Sequence, residues 1–204
     1  FDSPANKGWN EPDGSGKMLG NGFGWGQASH MLAWIYHVSD VTPIRVYCQM
    51  THSEVTGADV SHSATITCDD GVVFSLSGTS LLPGYEHSKG KQVGKRVGIE
   101  IYGTEGTLIY GGDDQDPASG CLQLRTSDAS DAGQVEINER KDIGFLFENT
   151  ETSGFGPESL LEFVSVCEGD KPYVGASSAV GLKAVQTIEA MYRSNASGKV
   201  EDVL

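Results

Sequence analysis

The chain has 204 residues and a formal charge of −14 at neutral pH. That length can bury a sizeable core, and the acid excess excludes partners that recruit clustered Lys and Arg, namely nucleic acids and anionic membrane surfaces. No apolar run approaches the roughly 20 residues of a membrane helix, so a soluble domain is expected. The chain opens at Phe1 rather than Met, with nothing signal-like ahead of its first patterned segment, and an artificial or processing boundary is expected there. Cys48, Cys68, Cys121 and Cys167 form no C-x-x-C pair. The first three fall in strand-like alternation and Cys167 on a helix face, so buried free thiols in a reducing, cytoplasmic compartment are expected. The sequon Asn195-Ala196-Ser197 reads as a helix end.

Residues 1–24 are rich in Gly, Asn and Pro, lack any period and read as an extended loop. Ala28, Met31, Leu32, Ile35 and Val38 recur at helical spacing, which predicts a helix from near Gln27 to Ser39, ended by Asp40 and Pro43. Strands follow. Ile44, Val46, Cys48 and Met50 alternate with Arg45, Tyr47, Gln49 and Thr51; Val60, His62, Ala64, Ile66 and Cys68 alternate with Asp59, Ser61, Ser63, Thr65 and Thr67. Asp70-Gly71 signals a two-residue type I′ hairpin, whose turn needs positive φ at both positions, with a return strand from Val72 to about Leu81. Beyond a polar loop, Pro83 to Lys95, come Val97, Ile99 and Ile101 in alternation, then a tight turn at Gly103-Thr104-Glu105-Gly106 into Thr107–Tyr110. Asp113, Asp114 and Asp116 read as a solvated loop, since the spacing and Gly of a calcium loop are missing. Weaker strands are expected at Cys121–Arg125 and Val135–Ile137.

Two helices close the chain. Gly156 and Pro157 suit a helix start, with Leu160, Leu161, Val164 and Cys167 as its buried stripe and Gly169 as its cap. Ser177 or Ser178 caps a last helix carrying Gly181, Ala184, Val185, Ile188, Met191 and Tyr192, with Gly198 beyond its end. This order predicts an α+β fold: an open, mostly antiparallel β-sheet with helices packed on one face. The second face, with Tyr47, Gln49 and rows of Ser and Thr, is left for solvent or a partner subunit. No internal repeat or domain boundary is evident, so a single domain over 1–204 is expected.

The most conspicuous stretch is Gly20-Asn21-Gly22-Phe23-Gly24-Trp25-Gly26-Gln27-Ala28-Ser29-His30. It lacks G-x-G-x-x-G and follows no strand, and Gly90 to Lys95 is one residue short of a phosphate loop. No cofactor-binding residue is therefore assigned within this chain. Gln27, His30, Trp34 and His37 lie at i, i+3, i+7 and i+10, sharing one stripe beside the apolar one. An amide, two imidazoles and an indole suit a polyhydroxylated ligand; the alternative is a polar stripe meeting water or the sheet edge. His30 has the titration range of a general base. His30 and His37 are two turns apart with no third ligand, so no metal site is assigned. No G-x-S-x-G elbow supports a serine hydrolase. His62 faces inward as a satisfied core residue, and His52 and His87 fall in loops.

Three segments together resemble the C-terminal domain of the Gfo/Idh/MocA oxidoreductases: GNGFGWGQASHMLAWIYHVS (Gly20 to Ser39), IEIYGTEGTLIY (Ile99–Tyr110), and the close from Phe163 through Lys171-Pro172 and the Ala179–Ser194 helix to Ser197-Gly198-Lys199. The resemblance implies a dihydrodipicolinate-reductase-like C-terminal domain. It further implies a missing N-terminal Rossmann domain that binds NAD or NADP and carries the family's Glu-Lys-Pro lysine. Hydride transfer at a sugar, polyol or cyclitol hydroxyl is the implied reaction, with the isolated domain inactive. The open sheet face would build a homo-oligomer. His30 aligns with the family's histidine, and Gln27 with the Gln of a G-Q-x-x-H variant. Trp25 and Asn21 would help orient the substrate. Two departures stand out: Gly26 occupies the place of an Asp four residues before the histidine, and Ala33 that of an Asp three residues after it. They leave open a non-catalytic sensor or assembly module of the same fold; a free-standing carbohydrate-binding module is a third reading.

Overall fold

The computed structural model describes residues 22–81, 96–113, 116–127, 135–142, 158–171 and 176–204. Residues 1–21 of the loop expected over 1–24, with Asn21, the Pro83–Lys95 loop with His87, Asp114 and the Gly156-Pro157 helix start lie outside them, and Phe23 and Gly24 are helical instead of extended. The chain divides into two compact units, Phe1–Leu82 with Val174–Leu204, and Pro83–Tyr173, where the sequence marks no boundary. Among the described residues no helix is long and apolar enough to cross a membrane.

The first unit holds helix α1 (Ser29–Ser39) and strands β1 (Pro43–His52), β2 (Asp59–Cys68) and β3 (Val73–Thr79). Its sheet is antiparallel with the order β3-β2-β1-β8, where β8 is Glu201–Asp202. The reversal after β2 follows the expected turn: Asp70 and Gly71 take φ of 53° and 77°, and Val72 N–H bonds Asp69 O at 3.2 Å. Alternation holds through most of β2, with His62, Ala64, Ile66 and Cys68 inward and Ser63, Thr65 and Thr67 exposed. The closing helix (Ser178–Ser197) and α1 meet the inner face, where Leu32, Tyr36, Val46, Ile66, Ile188 and Met191 are fully buried. Ser177 Oγ accepts from Val180 N–H at 3.3 Å, and Gly198, at φ 69°, ends the helix. The sequon therefore is a helix end.

Two irregularities overrule the simple alternation. A register shift between Pro43 and Arg45 leaves Ile44 exposed instead of inward. A second pairs Thr51 with Ser61 but His52 with Asp59, so Val60 is an extra residue, and both it and Asp59 are buried. Asp59, expected on the outer row, is turned inward by this bulge.

The second unit is an antiparallel meander of β4 (Arg96–Tyr102), β5 (Gly106–Asp113), β6 (Asp116–Ser127) and β7 (Val135–Asp142). Among the described residues the strands thus pair as two sheets. Gly103 N–H bonds Gly106 O at 2.8 Å in the expected tight turn, and Asp113 of β5 pairs with Asp116 of β6. Helix α2 (Glu158–Cys167) ends at Gly169, at φ 107°. Its apolar stripe corrects the sequence reading: Leu160, Leu161, Val164 and Cys167 are exposed, not buried. Periodicity reports which face favours burial, and among the described residues nothing covers this one. All four cysteines are free; Cys48 and Cys68 are buried, and Cys121 is half-buried.

Candidate active site at the glycine-rich helix start

The glycine-rich run enters α1 through a π turn, Gly24–Ala28. Its tightness has a visible cause. Asp59, 1% exposed, accepts a hydrogen bond from Gly24 N–H at 2.6 Å on Oδ2 and from Tyr192 Oη–H at 2.5 Å on Oδ1. A carboxylate 35 residues away thus serves one backbone donor of a helix start that has no side-chain cap of its own. A Cβ on Gly22 would stand 1.3 Å from Asp59 Oδ1, and one on Gly24 would stand 3.3 Å from Oδ2 and 3.1 Å from the Tyr192 hydroxyl. The alternating glycines are what let backbone approach the carboxylate. Burial first, then the Asp59 hydrogen bond, raises the Tyr192 phenol, so the proton stays on tyrosine and is donated to Asp59.

The same geometry argues against a phosphate here. The helix start is already filled by an internal anion, which would repel a second one. The described residues do not fit the diphosphate of a dinucleotide.

His30 stands exposed on the first turn of α1, and His37 is exposed in its last turn. Trp34 and Gln27 are half-buried. Gln27 belongs to the π turn, whose extra residue per turn shifts the phase ahead of Ser29. The four-residue stripe expected from straight helical geometry is therefore regular only from His30 onward. Trp25 stacks on Tyr192, with ring centroids 6.0 Å apart and planes at 17°, and packs against the core with part of its surface left open. Asn21 lies outside the described residues.

Behind this wall His62 is buried at 6% exposure, its ring 5.4 Å from that of Phe23. Among the described residues its Nδ1 has no hydrogen-bond partner, which corrects the expectation of a satisfied core histidine. Desolvation lowers its pKa, opposed by the charge of Asp59. A separate hollow in the second unit, lined by Glu100, Tyr102, Thr104, Glu105, Thr107 and Arg125, contains none of the residues singled out from sequence.

Residues 2–109 match the family model of the GFO/IDH/MocA C-terminal domain, more than half of the chain. The chain belongs to the Gfo/Idh/MocA family. Solved structures share its fold: an oxidoreductase domain protein from Kribbella flavida (15% identity, TM-score 0.63, 92% of this chain and 51% of that one), levoglucosan dehydrogenase in complex with NADH (19%, 0.59, 93% and 52%), and the WlbA dehydrogenase from Bordetella pertussis in complex with NADH and UDP-GlcNAcA (19%, 0.58, 92% and 47%). The chain spans about half the length of these relatives. None of the curated proteins matches the sequence. The α+β class with open antiparallel strands, inferred from the strand and helix order as one sheet, is the fold of this family domain, with the described strands paired as two sheets.

Sequence reasoning missed Asp59 and Tyr192. One signal was present: glycine at both 22 and 24 announces a close approach. The approaching partner is distant in sequence, and a bulge decides its direction, so neither follows from local pattern.

Proposed function

We propose that the full-length protein is an NAD(P)-dependent oxidoreductase that transfers hydride between a sugar, polyol or cyclitol hydroxyl carbon and a nicotinamide. This chain would supply its substrate wall. The supporting observation is an exposed imidazole, His30, on the first turn of a helix whose start is fixed by a buried carboxylate, in a domain of this family. In the proposal His30 accepts the proton of the reacting hydroxyl as carbinol becomes carbonyl, and Gln27, Trp25 and Asn21 orient the substrate. The dinucleotide belongs to an N-terminal Rossmann domain outside this chain, since the glycine-rich start here faces Asp59. The exposed outer face of β1 to β3, with Tyr47, Gln49, Thr65 and Ser77, is the proposed subunit contact of a cytoplasmic homo-oligomer.

The test is turnover. The full-length protein, given NAD+ or NADP+ with myo-inositol, D-glucose or levoglucosan, should reduce the nicotinamide with at least one of them, and the 204-residue chain should not. Turnover by the chain alone would overturn the division of labour. A non-catalytic sensor is the second reading, favoured by Gly26 and Ala33 where relatives place acids beside the histidine. Binding of NADH by the full-length protein without turnover of any polyol would support it.

A further inference from the structure

We infer that Asp59 is a positioning residue, whose carboxylate locks the Gly22–Ala28 turn and thereby sets where Gln27 and His30 present their side chains. This rests on the reading of His30 as the group that meets substrate. Three independent contacts converge on the carboxylate. Gly24 donates its N–H to Oδ2 at 2.6 Å, Tyr192 donates its hydroxyl to Oδ1 at 2.5 Å, and Gly22 packs so closely that no side chain fits between. Tyr192 extends the lock to the next residue, its ring stacking on the Trp25 indole. One backbone donor is therefore tied to one fully buried acid directly, and one aromatic ring of the turn through Tyr192.

The position of that acid is itself fixed. The β-bulge at Val60 directs Asp59 inward, and Ser80 donates both its N–H (2.8 Å) and its hydroxyl (3.1 Å) to Val60 O. A π turn is an uncommon, locally costly geometry that persists where surrounding contacts determine it. Relaxation to a regular α turn would change the angle at which Gln27 stands relative to His30. In the proposal the π-turn placement of the amide and the imidazole is the one that meets ligand. Asp59 is too deeply buried to touch a substrate, so it acts through the turn alone.

The experiment uses the full-length protein with Asp59→Asn, which keeps the shape and removes the charge, and Tyr192→Phe, which removes one leg of the lock and leaves the acid. Hydrogen exchange read by mass spectrometry should be at least tenfold faster across residues 24–30 in both variants, with β1 and β2 unchanged. Using the polyol turned over by the parent protein, kcat should fall at least tenfold while KM for the nicotinamide stays within twofold. Unchanged exchange over residues 24–30 in Tyr192→Phe overturns the inference, as does a loosened turn with unchanged kcat. If the parent turns over no polyol, the reading of function fails by itself; the exchange arm still decides whether Asp59 locks the turn.

Discussion

At the scale of single residues, the buried carboxylate explains glycines that look at first like a nucleotide motif. Gly22→Ala sets a methyl group against Asp59 Oδ1 and should cost about 3 kcal/mol by overpacking. With Asp59→Ala the obstruction is gone, so urea unfolding of the double variant should show a favourable coupling of at least ~1 kcal/mol. Additive effects would mean the two residues do not meet. His62 makes a second prediction, through linkage. Its folded pKa lies below the ordinary 6.5, so the unfolded chain binds the proton first as pH drops. Stability should be free of this penalty above about pH 6.5 and decline below it, levelling once the folded group also protonates. The His62→Gln variant should flatten that slope in unfolding titrations. Burial also pushes the Cys48 and Cys68 thiols up, to about 12 and about 11, which keeps both in the unreactive thiol form at neutral pH.

At the scale of elements, short strand β8 pairs with β1 only at Arg45 and Val46. Beyond it the closing helix takes over: Ser194 Oγ accepts from Cys48 N–H and Asn195 Oδ1 from Met50 N–H, both at 2.9 Å. Ser194→Ala should cost about 2 kcal/mol because it orphans a buried donor. Ser177→Ala, at an exposed helix cap, should cost about 1 kcal/mol. Thermal unfolding of the two variants would show whether that ranking holds. Caps, the Asp70-Gly71 turn and the glycine stops were legible because each depends on two or three neighbouring residues. The bulges at Ile44 and Val60 were not, since an extra residue in one strand is defined only by its partner. For the same reason the exposed place of His30 on α1 could be read from local pattern, whereas the π turn at Gln27 and the approach of Asp59 and Tyr192 could not. The buried Tyr36–Thr187 hydrogen bond, 2.7 Å across 151 residues, belongs with the illegible features.

At the scale of the whole molecule, the two units differ in what their described residues bury. The first buries a dense core between one sheet face and two helices. The second leaves Leu160, Leu161 and Phe163 of α2 more than 60% exposed. Amphipathic spacing made that stripe legible and could not reveal whether its cover is present. The chain spans about half the length of these solved relatives. In the proposed reading it carries one wall of a site. The most direct test of that account is His30→Ala in the full-length protein, assayed by nicotinamide reduction with a polyol the parent oxidises. The account predicts a loss of at least a hundredfold in kcat, the upper reach of a single acid–base group being about ten-thousandfold, with NADH affinity unchanged. A variant that turns over at the parental rate would contradict it.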